Sequence, residues 1–276
     1  MLSRSVNPYL SKCLFGIATL AFACCAPLSA GAQDRYFLDG EELSTVFTYT
    51  NFSSVAGLTF NGNSRQDSTV LLVAPSLTDQ IGSVFYTNQV NVAQGFTTVF
   101  TTQIIPNSDS YTTADGLAFV IQNSSVNAIG DDTGQPGYEG ISDSVAVEFD
   151  TFQNLQLDDP NNNHVGIQSC GTAPNSLNHG SHCNRGLQPT LPLTLADGNP
   201  HRVAITYMPS PTGDGGKLSI SIDNQKILSS DLNLSTLLSL NGNDAWIGFT
   251  GGSGEAWESG IIRNWTYASV GTAPVK

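Results

Sequence analysis

Glu148, Asp150, Asn154, Asp158, Asp159 and His164 crowd carboxylate, amide and imidazole groups into one short stretch, residues 144–164. Oxygen donors from Asp150, Asn154 and Asp159, with a backbone carbonyl near Phe152, suit Ca2+, which takes about six to eight oxygens. Adding the His164 imidazole to Glu148, Asp150 and Asp159 suits a first-row transition ion such as Mn2+. Asp150 and Asp159 then serve two ions, whose charge offsets the repulsion among so many carboxylates. Solvent exposure on the outer face of a strand is the usual fate of carboxylates and the alternative for Glu148 and Asp150. Against it, Phe152 shares their face, and the loop holding Asn154, Asp159 and His164 is too short to carry those groups away. Glycoside hydrolysis by a retaining pair needs a second carboxylic acid roughly 5 Å away, shortly after Asp150. The chain has Phe152 and Gln153 there. No G-x-S-x-G elbow occurs, and Gly252-Ser253-Gly254 lacks the strand-to-helix setting of one.

A strand must present these groups. Val145, Val147, Phe149 and Thr151 fall on one side of an extended run, and Ala146, Glu148, Asp150 and Phe152 on the other. Strand-like runs also cover residues 45–52, 69–73, 82–92, 96–105, 115–121 and 165–168, with Asn61-Gly62-Asn63 and Pro106-Asn107 as turns. Residues 123–143 are rich in Gly, Ser, Asp and Asn and read as a long loop. Val203, Ile205 and Tyr207 alternate, as do Leu218, Ile220 and Ile222, and Asp214-Gly215-Gly216 joins these runs as a hairpin. Residues 234–240 supply one helical turn; strands at 245–250 and 261–268, separated by loop 251–255, close the chain. Many short strands without intervening helices argue for two packed antiparallel sheets. Trp246 and Trp265 read as core, and His179, His182 and His201 as surface histidines. Trp257 is read either as an aromatic platform for a longer ligand or as a half-packed ring.

The chain has 276 residues, 39% of them hydrophobic, and a length that suits one all-β domain. Arg4 and Lys12 precede an apolar run at 14–23, and Ala30-Gly31-Ala32 follows, the pattern of a secretory signal peptide over residues 1–32. The run is short for a bilayer crossing. The net charge is −13, and −15 without the two basic residues of the leader, so nucleic acid and anionic membranes are repelled. Cys13, Cys24 and Cys25 lie in the leader. The remaining pair, Cys170 and Cys183, reads as a disulfide in an exported chain, with a zinc site using His179 and His182 as the competing reading. Residues 271–276 read as a short tail.

The run Val145-Ala146-Val147-Glu148-Phe149-Asp150-Thr151-Phe152, followed by Asn154, Asp159-Pro160 and His164-Val165-Gly166-Ile167, resembles the metal-binding signature of the legume-type (L-type) lectin family without a gap. Phe37 and Phe47, Gly82-Ser83-Val84-Phe85-Tyr86, Asp115-Gly116-Leu117-Ala118-Phe119, Ile247-Gly248-Phe249-Thr250 and Asn264-Trp265 agree in order, so the likeness covers nearly all of residues 34–269. The resemblance implies an all-β, antiparallel, concanavalin-like jelly-roll sandwich over residues 33–270, holding Mn2+ and Ca2+ beside a shallow sugar site. By resemblance, Glu148, Asp150, Asp159 and His164 hold the transition ion, and Asp150, the Phe152 carbonyl, Asn154 and Asp159 the calcium. The sugar meets Asp115, a backbone amide of Gly137, Asn154, the ring of Phe152, and the loop containing Gly254 and Glu255. In that family the bond matching Ala114–Asp115 is cis. The Cys170 to Cys183 loop is longer than usual there, so that it overhangs the sugar site or reshapes an oligomer surface. The expectation is a secreted or extracytoplasmic lectin without catalysis, with glycans as partners and a homodimer through the flat back sheet. The length of the last loop is compatible with mannose or glucose. An extracellular glycoside hydrolase and a structural or adhesive matrix protein are the alternatives.

Overall fold

The computed structural model describes residues 35–38, 40–107, 113–131 and 134–270, with the backbone alone at Glu41. The expected leader, 1–32, and the tail, 271–276, lie outside the described residues. Alternating apolar and polar residues, broken by Gly, Asn, Asp and Ser turns, produce a succession of strands. These are β1 (Tyr36–Leu38), β2 (Glu41–Tyr49), β3 (Leu58–Gly62), β4 (Arg65–Asp67), β5 (Val70–Ala74), β6 (Gln80–Tyr86), β7 (Val90–Asn91), β8 (Phe96–Pro106) and β9 (Gly116–Gln122). There follow β10 (Ser144–Asp150), β11 (His164–Gln168), β12 (Asn184–Gln188), β13 (Pro200–Pro209), β14 (Gly216–Ile222), β15 (Gln225–Asp231), β16 (Asp244–Ser253) and β17 (Glu258–Ser269). One helical turn, α1 (Leu234–Leu237), is capped by the Asn233 side chain, which accepts from the Ser235 N–H at 3.0 Å.

Two antiparallel sheets result. The nine-stranded sheet runs β1-β2-β17-β8-β13-β14-β15, with β5 also on β17 and β4 on β5; the eight-stranded sheet runs β12-β11-β10-β9-β16-β6-β3, with β7 on β16. Val145, Val147 and Phe149 of β10 point into the main core with Phe119, Phe249, Phe100 and Trp265. Phe100 meets Phe249 edge-on at 4.9 Å, and Phe249 meets Trp265 at 4.8 Å. Trp265 Nε1 donates to Thr98 Oγ1 at 2.9 Å, so the one polar atom of this buried ring is satisfied. Ala146, Ala118, Val120 and Phe85 belong to the opposite face of the eight-stranded sheet, where Tyr138, Ile141 and Leu177 cover them. Two loops therefore roof the outer face, and the strand residues beneath them are buried on both sides.

Several expectations are corrected. Strands β1, β3, β4, β12 and β15, all at sheet edges, come in addition to the expected runs. Gly251, Gly252 and Ser253 belong to β16, paired with Gly82, Ile81 and Gln80, so the last loop starts at Gly254. The run 82–92 breaks after Tyr86, and α1 stops at Leu237. Trp246 is half-buried, its Nε1 donating to the Thr87 carbonyl at 3.1 Å, and only Trp265 is core.

Candidate functional site

β10 and β11 pair with Asp150 opposite His164 and Glu148 opposite Gly166. That register puts two carboxylates and an imidazole on one face. Glu148 is 1% exposed, Asp150 4% and His164 0%, so the solvent-exposed alternative for these carboxylates does not hold. His164 Nδ1 faces the Asn161 carbonyl at 2.9 Å and donates to it, leaving the Nε2 lone pair directed inward. His179 Nε2 lies 3.1 Å from His164 Nε2, 3.0 Å from Glu148 Oε1 and 3.5 Å from Asp159 Oδ1. Tyr138 donates its hydroxyl to Glu148 Oε2. Glu148 Oε1, by contrast, is buried and accepts no hydrogen bond. An unsatisfied buried acceptor costs about 1–3 kcal/mol, more when charged, and a cation relieves it. Asp150 Oδ1 accepts from the Phe152 N–H at 2.8 Å, and Asp159 Oδ2 from the Asn154 N–H at 2.6 Å. The donor set, carboxylate oxygens with imidazole nitrogens around an orphaned oxygen, fits a divalent cation.

His179 was expected at the surface and is found inside this cluster. His201 is likewise buried, between Asp223 Oδ2 at 2.7 Å and Asp197 Oδ1 at 3.1 Å, whereas His182 is exposed. Cys170 and Cys183 form a disulfide with a Cα–Cα separation of 4.5 Å, which removes the thiolates a zinc site would need. The loop it closes is held over the cluster. Asn175 exchanges backbone hydrogen bonds with Gly140 and Ile141, and the His179 N–H donates to the Leu157 carbonyl at 2.9 Å.

Beside the cluster lies a cavity of about 430 Å³, walled by Ala114, Asp115, Gly134, Phe152, Asn154, Gly254, Glu255 and Ala256. No wall residue comes from the disulfide loop, which packs on the cation side instead. The Ala114–Asp115 peptide is cis. Asp115 is 3% exposed, and its Oδ2 accepts from the Gly254 N–H at 3.0 Å. Gly137 is not in the wall: it packs against Gly251, whose carbonyl oxygen an added Cβ would meet at 2.8 Å. Gly134 of the same loop does line the cavity; a Cβ there would stand 3.9 Å from Asp115 Oδ2 and 3.5 Å from the Gly254 Cα. Both glycines lie in one irregular segment, so only the loop's path separates them. Thr250 fixes that path by donating its hydroxyl to the Pro136 carbonyl at 2.7 Å.

The site's electrostatics favour positive charge. Burial, then the neighbouring Glu148 and Asp159, push Asp150 well above the usual carboxylate range. Burial raises Asp159 to about 6, and raises Asp115 to about 7 against the opposing Gly254 N–H. Burial lowers His164. His179 is pulled down by burial but ends raised, because Glu148 and Asp159 face it. Burial also raises Glu258, at the base of β17, to about 8 although Thr151 and Gly116 donate to it.

The legume lectin β-barrel domain family matches residues 47–264. A probable L-type lectin-domain containing receptor kinase S.7 of Arabidopsis thaliana is 28% identical over 262 residues, covering 83% of this chain and 35% of its own length. Truncated lectin 2 of Medicago truncatula is 28% identical over 249 residues, 82% of either chain. This chain spans between 35% and 40% of the length of the receptor kinases it matches first. The structure of a lectin from Bauhinia forficata in complex with GalNAc has a TM-score of 0.64 at 22% identity, over 83% of this chain and 100% of that one. At that identity the structural likeness speaks for the fold.

Proposed function

This chain belongs to the legume lectin β-barrel domain family, and from that premise we propose that it binds a neutral sugar in a cation-dependent way in a secreted or extracytoplasmic setting. The family comprises carbohydrate-binding proteins without catalysis. A sugar hydroxyl both donates and accepts, so it is held best where a carboxylate and amide donors are fixed side by side. Asp115, whose Oδ2 is fixed by the Gly254 N–H, accepts, the Asn154 amide and backbone N–H groups of Gly134 and Glu255 donate, and Phe152 packs on the apolar face of the sugar ring. Glu148, Asp150, Asp159 and His164 would hold a transition ion such as Mn2+, and Asp150, the Phe152 carbonyl, Asn154 and Asp159 would hold Ca2+. When bound, these ions supply the charge that lets the buried carboxylates stay ionised together.

What supports this most is one shared wall: Asn154 lines the cavity while its N–H is held by Asp159, whose other oxygen faces the cation cluster. The length of the last loop is compatible with mannose or glucose. Among the structural neighbours, one lectin was captured with GalNAc and a winged bean lectin with methyl-α-D-galactose. Pairing through the nine-stranded sheet is the assembly we propose. A glycan array run with Ca2+ and Mn2+, and again after chelation, tests the reading. Binding that disappears with the chelator and with Asp115→Asn supports it, and undiminished binding in metal-free protein would sink it.

A further inference from the structure

His179 is not among the residues the family resemblance gives to the transition ion, yet it stands among them. Its Nε2 is 3.1 Å from His164 Nε2 and 3.0 Å from Glu148 Oε1. Ligands bonded at about 2.1 Å to one octahedral ion stand about 3.0 Å from their neighbours. His179 Nε2 is therefore spaced from each of the other two as an adjacent ligand would be, and Glu148, His164 and His179 each offer a ligand atom within 4.8 Å of the others.

The hydrogen bonds around them point the same way. His164 Nδ1 donates to the Asn161 carbonyl, so its Nε2 is a lone pair. With Gln168 Nε2 donating to His179 Nδ1 at 2.9 Å, two buried oxygens have no donor: Glu148 Oε1 and Gln168 Oε1. The two ends of a glutamine amide are exchangeable by rotation. Turned over, Gln168 accepts from a protonated His179 Nδ1, and His179 Nε2 becomes a second lone pair beside Glu148. One cation then satisfies Glu148 while the turned amide satisfies Gln168, which is the partnering expected around a ligating histidine.

The fold holds His179 there. Its N–H donates to the Leu157 carbonyl at 2.9 Å, and its carbonyl accepts from Asn184 Nδ2 at 2.8 Å. Gly166 makes the room, since a Cβ at that position would come 2.1 Å from Glu148 Oε1 and 2.9 Å from His179 Cε1.

We propose that His179 is a further protein ligand of the transition-ion centre, giving it two imidazoles and shifting its preference from Mn2+ toward Zn2+, Co2+ or Ni2+. This rests on the reading of Glu148 and His164 as cation ligands. Each added imidazole favours the later first-row ions, which bind nitrogen more strongly along the Irving–Williams order.

The test uses the full chain, stripped with a chelator and titrated separately with Zn2+ and Mn2+. Pulsed EPR of the Mn2+-loaded protein counts the coupled imidazole nitrogens. Two imidazoles are expected in the wild type and one in His179→Gln. Zn2+ affinity should fall at least about 10- to 100-fold, the loss seen even for outer partners of a ligand, and Mn2+ affinity less. His182→Gln, on the exposed neighbour, should change neither. A single imidazole in the wild type, or a Zn2+ to Mn2+ affinity ratio unmoved by His179→Gln, overturns the role of His179 alone. No transition-ion uptake by the wild type overturns the cation reading as well. Should His179→Gln fail to fold, the wild-type imidazole count decides.

Discussion

Asp150 and Asp159 hold protons more tightly than ordinary carboxylates do, so protons and cations compete for the same oxygens. A folded-state value above that of the unfolded chain means that the protonated form favours the fold. That stability is complete below about pH 4, near the unfolded value, and is lost as pH rises through about 6 for Asp159 and about 7 for Asp115. Chelated protein should therefore show a Tm that falls from pH 4 to pH 8, and saturating Ca2+ and Mn2+ should flatten the curve. A Tm that rises with pH in chelated protein would contradict this. Glu258, raised to about 8, is not among the proposed ion ligands and accepts from Thr151 at 2.8 Å. Glu258→Gln keeps that acceptor and should raise Tm at pH 9 while leaving it nearly unchanged at pH 5. The meeting of Glu148, Asp150, Asp159 and His164 was legible in the sequence because one strand and its trailing loop hold them all, which makes spacing informative. His179 was not, since only a disulfide and loop anchors such as Asn175 bring it to His164. Its one sequence signal was a histidine between two cysteines directly after the ligand run.

The loop closed by Cys170 and Cys183, separated by 13 positions, has no strand of its own and is held by the covalent closure together with the backbone bonds of Asn175 and His179. Closing a loop of this size is worth about 3 kcal/mol through the unfolded chain. The double substitution Cys170→Ser with Cys183→Ser should lower stability by about that much, and should weaken transition-ion uptake more than Ca2+ uptake. Equal loss of both ions would argue that the loop acts on the whole sheet. The central strands were readable from alternation because each has a face in the core, as with Val145, Val147 and Phe149. The edge strand β12, with sequence Asn184-Arg185-Gly186-Leu187-Gln188, was not, for it is half-buried throughout and offers no apolar face. Gly251 and Gly252 misled in the other direction. Glycines usually end strands, but here a Cβ on Gly252 would come 2.4 Å from the Gln135 carbonyl oxygen, so the strand continues because its side chains are absent.

At the scale of the whole molecule, the core and the binding apparatus occupy opposite faces of the eight-stranded sheet. Phe100, buried between Phe119, Phe149 and Phe249, belongs to the core alone. Phe100→Ala should cost about 3–5 kcal/mol of stability without changing sugar affinity in the fraction that remains folded. Chelation should do the reverse, ending sugar binding while the far-ultraviolet circular dichroism of the sandwich persists; simultaneous loss of both signals would show that the ions hold the fold itself. The two-sheet architecture was visible in the strand rhythm, whereas the roof of loops that buries Glu148 was not, because residues 123–143 have no period to read. Asp159 joins these levels, with one carboxylate oxygen near His179 and the other on the amide of Asn154. A single side chain thus acts as a yoke, and thermodynamic reciprocity requires that what steadies one end steadies the other. Saccharide at saturating concentration should slow the escape of bound ion to an external scavenger, so that a protein laden with glycan would keep its metal through excursions that strip the free form.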